Sequence, residues 1–111
     1  MATVVRVHEL GGPEKLVFDE IEIGAPGPGE VRIKVEAFGL NRSEAMFRAG
    51  RYPTKPALPT LIGYEACGIV EALGDGVTGF AIGQRVSALP MFPLGQYGVW
   101  ATQPIDPARC L

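Results

Sequence analysis

Few residues in this 111-residue chain carry chemistry of their own. There is one histidine, His8, and there are two cysteines, Cys67 and Cys110. One cysteine pair makes no disulfide framework. The opening Met1-Ala2-Thr3-Val4-Val5-Arg6 lacks the basic and apolar regions of a secretory leader, so reduced thiols in a cytoplasmic protein are expected. Cys67 lies in an apolar run and reads as a small buried hydrophobe. His8, near the end of a strand pattern, reads as a surface or packing residue. Glycines at the first, third and sixth positions of Gly74-Asp75-Gly76-Val77-Thr78-Gly79 satisfy the bare G-x-G-x-x-G pattern of a phosphate cradle. That cradle needs a helix after it and a βαβ unit around it. Phe80-Ala81-Ile82-Gly83 opens neither, so the segment reads as a turn. Asn41 is a good helix cap, and Tyr52 an aromatic pinning a proline-rich loop. Arg42, Glu44 and Arg48 read as an exposed charged helix face, with Glu44 and Arg48 at the spacing of a surface ion pair.

The elements that must hold these residues are mostly short strands. Thr3 to Glu9 and Leu16 to Ile23 alternate and are separated by the turn Gly11-Gly12-Pro13. After a Gly- and Pro-rich loop, Val31, Ile33, Val35 and Ala37 share one face of a strand running to Phe38. The period then changes. Asn41 to Gly50 reads as a short helix, with Asn41 or Ser43 as its cap and Gly50 as its stop. Pro53, Pro56 and Pro59 make an irregular loop from Tyr52 to Pro59. Thr60 to Glu65 leads into an apolar strand from Ala66 to Leu73. Arg85 to Leu89 and Gln96 to Thr102 read as two further strands, and Pro104 to Leu111 as a connector. Turns every 8–12 residues suit a compact β-barrel or sandwich of one domain.

Composition narrows the function. With ten Lys and Arg against twelve Asp and Glu the net charge is −2, so no basic face points to nucleic acid or an anionic membrane. No apolar run reaches the roughly 18 residues of a membrane span.

Several segments together resemble a known family. Gly11-Gly12-Pro13-Glu14 with Leu16 resembles the opening of quinone oxidoreductases. Gly39-Leu40-Asn41-Arg42 and Gly50-Arg51-Tyr52-Pro53 resemble the family stretch G-x-N … G-x-Y-P. Gly63-Tyr64-Glu65-Ala66-Cys67-Gly68-Ile69-Val70 resembles G-x-E-x-x-G-x-V. Gly74-Asp75-Gly76-Val77, Phe80 and Gly83-Gln84-Arg85-Val86 resemble G-x-G-V … F … G-D-R-V, and Gly95-Gln96-Tyr97 resembles a late G-x-Y. Their order over nearly all 111 residues is similar to the N-terminal GroES-like domain of zinc-free medium-chain dehydrogenase/reductases.

The resemblance implies a mainly β fold, a GroES-like partly open β-barrel with one short helix, over residues 1–111. It implies NADPH as cofactor, held mainly by a Rossmann domain absent from this chain, and a small-molecule substrate (quinone, enone or aldehyde) reduced by hydride transfer. The zinc-dependent branch has Cys where Asn41 stands and His where Tyr64 stands, and it has four closely spaced cysteines. All are missing here, so no zinc is expected. Asn41 and Tyr52 align with family residues beside the nicotinamide and substrate. Tyr64 and Met46 are expected to line the substrate cleft, Met46 where close relatives often have tyrosine. Glu65 is expected to be a supporting group. Gln84 replaces the family Asp. As a fragment, an engineered piece or a truncated gene product, the isolated chain is expected to be inactive and to expose apolar surface, dimerising through it. The rival reading is a stand-alone, non-catalytic GroES-like binding or assembly module.

Overall fold

The computed structural model describes residues 2–53, 55–92 and 94–111; Met1, Thr54 of the expected proline loop and Pro93 lie outside the described residues. β1 (Ala2–Val7) and β2 (Leu16–Ile21) pair antiparallel, joined through a 3-10 turn at Pro13–Lys15. β3 (Glu30–Phe38) follows, then α1 (Arg42–Arg48), β4 (Thr60–Leu61), β5 (Ala66–Leu73), β6 (Arg85–Ala88) and β7 (Ile105–Pro107). One sheet has the order β2-β1-β4 and the other β6-β5-β3-β7. Every pairing in them is antiparallel. This is the mainly β, partly open architecture with one short helix that the family resemblance implies. No helix among the described residues is long and apolar enough to cross a membrane.

The alternation in β3 sorts its side chains. Val31 and Ile33 are fully buried, while Lys34 and Glu36 face solvent. They meet Val70 and Val86 from β5 and β6 in one apolar cluster. A larger cluster gathers Val7, Ile62, Phe92, Val99 and Trp100 around Phe47, which α1 drives into the core. Burying a side chain of that size is worth roughly 1.5–3 kcal/mol.

Three expectations are corrected. Gln96 to Thr102 is no continuous strand: it is tied by isolated contacts to several elements. Trp100 N–H donates to Ile62 O at 3.2 Å, Val5 N–H to Trp100 O at 2.8 Å, and Val35 N–H to Thr102 O at 3.0 Å. A segment shared among three partners cannot keep one ladder. Pro104 to Leu111 is more than a connector, since Ile105–Pro107 pairs with the start of β3 and a 3-10 turn follows at Ala108–Cys110. Pro107 hides this strand from a sequence reading, yet an edge strand tolerates proline. Thr60–Leu61 is not merely a lead-in, because it pairs with Arg6 and Val7 of β1.

Gly68 sets the spacing between β3 and β5. A Cβ there would stand 2.1 Å from the Lys34 carbonyl oxygen, which is backbone and cannot swing aside. Gly68→Ala is therefore expected to destabilise the fold by about 3 kcal/mol, the upper range for overpacking, read as a lowered midpoint in urea unfolding.

Asp106 of β7 lies opposite Val31 and is fully buried. Neither of its carboxylate oxygens has a hydrogen-bond partner among the described residues. Burial pushes its carboxyl up to about 7 from an ordinary 3.8. The folded chain thus keeps a proton that the unfolded chain releases. Stability from this group is fully present below about pH 4 and is lost as pH rises to about 7, on the order of 1 kcal/mol per pH unit. Asp106→Asn is expected to flatten that slope and raise the thermal midpoint at pH 8; a slope unchanged by the substitution would contradict it.

Candidate functional site

The polar groups gather where β3 hands over to α1. Asn41 is the helix N-cap, in extended conformation, and forms a capping box with Glu44. The Asn41 backbone N–H donates to Glu44 Oε1 at 2.6 Å. The Asn41 side-chain Nδ2 lies 3.5 Å from Glu65 Oε2, a long contact, and the Asn41 side chain also faces the Glu44 carboxyl. Glu65 in turn is fixed near Gly39, whose N–H donates to the Glu65 carbonyl at 2.9 Å. Trp100 Nε1 donates to the Gly39 carbonyl at 3.2 Å, so the turn before Asn41 is held from both sides.

Glu44 overturns an expectation. It is 1% exposed rather than part of a charged outer face, and it makes no ion pair with Arg48. The capping role turns its carboxylate inward onto the Asn41 amide, and Arg48 Nε donates instead to the Gly11 carbonyl at 3.1 Å. Burial holds the Glu44 carboxyl above its ordinary range; the Asn41 and Tyr64 amides oppose this, and the charge of Glu65 adds to it. The signal was present in the sequence, because Asn followed three residues later by Glu is the capping-box spacing.

Tyr64 enters the same cluster through Ser43. The Tyr64 hydroxyl and Ser43 Oγ share a hydrogen bond of 2.5 Å, and the Tyr64 ring packs edge-on against Phe92 at 6.4 Å between centroids. Ser43, anticipated only as a cap, is therefore Tyr64's partner. Tyr52 sits apart from this group and beyond Phe47, onto which its ring packs edge-on at 5.9 Å. Its hydroxyl has no hydrogen-bond partner among the described residues. Met46 is 39% exposed on α1. The structure thus joins Asn41, Ser43, Glu44, Tyr64 and Glu65 into one polar group, with Tyr52 and Met46 on neighbouring surface of the same helix and loop.

The remaining candidates lie elsewhere. His8 Nε2 is 2.7 Å from Asp19 Oδ2 on the half-exposed side of the first sheet. The hydrogen bonds from His8 and then Arg6 hold the Asp19 carboxyl below its ordinary range. Cys67 is half-buried, not a core residue. Its strand neighbours Ala66 and Gly68 take the inward side, and Cys67 borders a depression of about 410 Å³ lined also by Phe38, Gly39 and Glu65. Cys110 is fully buried. Among the described residues no three His, Cys, Asp or Glu side chains are placed to hold a metal ion. Gly74 to Gly79 is a turn between β5 and β6, with no helix after it.

Residues 27–103 match the family model of the alcohol dehydrogenase GroES-like domain. The 2-haloacrylate reductase of a Burkholderia species is 41% identical over 100 residues, covering 87% of this chain and 29% of that protein. The crystal structure of a Pseudomonas syringae quinone oxidoreductase superposes with a TM-score of 0.88 at 38% identity, over 99% of this chain and 32% of that one. An Escherichia coli quinone oxidoreductase complexed with NADPH superposes with a TM-score of 0.82 at 31% identity, over 97% and 32%. The chain spans less than a third of the length of these relatives. It belongs to the alcohol dehydrogenase GroES-like domain family, on the quinone oxidoreductase side of the medium-chain dehydrogenase/reductases.

Proposed function

We propose that this chain is the substrate-side domain of an NADPH-dependent oxidoreductase that reduces a quinone, enone or aldehyde, with the dinucleotide held mainly by a Rossmann-type domain. The observation that supports this reading is the Asn41 side chain, held at the start of α1 by the capping box and reaching Glu65 only through a long 3.5 Å contact, at the position where the resemblance places the family's nicotinamide asparagine. NADPH supplies a hydride when bound. The residues here fit only the nicotinamide end of that cofactor, because the one glycine-rich candidate for its phosphates is a turn.

In this reading Asn41 Nδ2 donates to the nicotinamide carboxamide or to a substrate oxygen, and Glu44 and Glu65 orient it. The Tyr52 hydroxyl donates to the carbonyl oxygen being reduced, and its ring offers a stacking face. Tyr64, held by Ser43, and Met46 shape the cleft wall. No zinc takes part. Leu40 and Phe18 are 76% and 80% exposed, apolar surface of the kind a partner can cover. A second domain and a second copy of the protein would cover it, as a homodimer.

The test uses the protein at its native length with NADPH and a 1,4-quinone. Asn41→Ser keeps a good cap, so its thermal midpoint should stay near that of the parent. Its kcat/KM should fall on the order of tenfold, the worth of one lost hydrogen bond in the transition state. Turnover equal to the parent's would remove Asn41 from the site.

A further inference from the structure

The segment Ile105–Leu111 is lightly fastened for a piece of chain that closes a core. β7 is an edge strand of three residues, and its ladder partner is the start of β3. Beyond that ladder, Ala108 N–H donates to Gly29 O at 2.9 Å and Leu89 N–H donates to Cys110 O at 2.8 Å. A depression of about 470 Å³, lined in part by Gly29, Val77, Phe80, Ala108 and Arg109, runs along its flank. The segment nevertheless joins the two apolar clusters. Cys110 is fully buried in the larger one, Ala108 packs against the smaller, and Leu111 packs against both.

Asp106 stands in the middle of this segment. It lies opposite Val31, and Val31 lies opposite Leu73, so the three side chains form a row on one face of the sheet. The carboxyl is thus laid against apolar neighbours. Alternation sends Glu30 and Arg32 to the other face, where they hold the Tyr97 phenol at 2.8 Å and Glu71 at 2.9 Å. Arg109 on the following 3-10 turn and Asp75 on the turn after β5 are exposed. None of these groups bonds to an Asp106 oxygen, and both oxygens are without a partner among the described residues.

We infer that Ile105–Leu111 is a pH-controlled latch: with Asp106 protonated it closes the free edge of β3, and with Asp106 ionised it swings away as a unit while the rest of the fold stays in place. An unpaired carboxylate is far costlier to bury than the neutral acid. Parting one three-residue ladder and a few flanking bonds delivers it to water without disturbing the β3–β5 pair. Opening uncovers Val31, Ala108 and Cys110, and acidification covers them again. Burial sets the Asp106 carboxyl at about 7 against an ordinary 3.8. The opening constant therefore rises on the order of tenfold per pH unit between about pH 4 and about pH 7, and levels off above. The latch does not depend on the reductase reading.

The test is amide hydrogen exchange in the native-length protein from pH 5 to 8, corrected for the intrinsic pH dependence of exchange. The Ala108 and Leu89 amides report the latch, and the Val70 amide, which donates to Gln84 O at 2.9 Å, reports the body of the second sheet. The expected result is faster exchange at Ala108 and Leu89 than at Val70. Their protection should fall by up to tenfold per pH unit until about pH 7. Low urea should speed Val70 and leave the latch amides unchanged, because a local opening exposes little surface. Asp106→Asn should abolish the pH dependence at the latch, and so should Asp106→Leu, which matches the apolar surroundings and serves if the asparagine variant fails to fold. Exchange of Ala108 and Leu89 only in step with Val70, or a pH dependence that survives the substitution, overturns the inference.

Discussion

The close approach of β3 and β5 at Gly68 governs what the rest of the chain can do. With no side chain at that position, the Lys34 carbonyl sits where a Cβ would be, and the two strands run together along most of their length. Their pairing fixes both ends of β3. One end receives β7 and buries Asp106. The other ends at Phe38, stacked on Trp100 at 5.3 Å, and releases the chain into Gly39, Leu40 and Asn41. The polar group at the start of α1 therefore inherits its position from a strand pair rather than from a loop.

That inheritance matters because, in the proposed function, orientation is what these groups would offer a hydride transfer. Its groups are an amide, two phenols, a serine hydroxyl and two carboxylates. None of these is a strong electrophile, and the value of such groups lies in being held still. The capping box does this for Asn41 by tying its backbone N–H to the Glu44 carboxylate and its side chain to the start of α1. Glu44 must be buried to reach that N–H, which explains why a charged residue stands in the core beside Phe47.

Much of the architecture was legible in the sequence because its devices are local. Alternation in β3, the apolar run of β5, and the change of period at Asn41 each announce themselves within ten residues. The elements that escaped are those defined by distant partners. β4 is two residues long and exists only because Arg6 and Val7 lie opposite it. β7 contains a proline and exists only because Val31 lies opposite it. The segment from Gln96 to Thr102 has the composition of a strand, but its hydrogen bonds are divided among β1, β3 and the chain after β4. In the site, Asn41, Tyr52, Tyr64 and Met46 could be singled out only through the family resemblance, since no spacing marks them. The inward turn of Glu44 was visible as a capping box but competed with an equally good helix ion-pair spacing, and geometry decided between them.

The clamp made by Thr102 has a kinetic side. Thr102 N–H donates to the Thr3 carbonyl and its own carbonyl accepts from Val35, so one residue joins the first strand to the third. Thr3 and Thr102 are 99 positions apart. Contacts of such separation close late and slow the folding of β-rich domains. On a ribosome, β1 can pair with β2 early, but the two sheets cannot be locked together until Thr102 has left the exit tunnel. Until then the strand pairs of the nascent domain stand unlatched, which makes this the interval in which a chaperone would have most to hold.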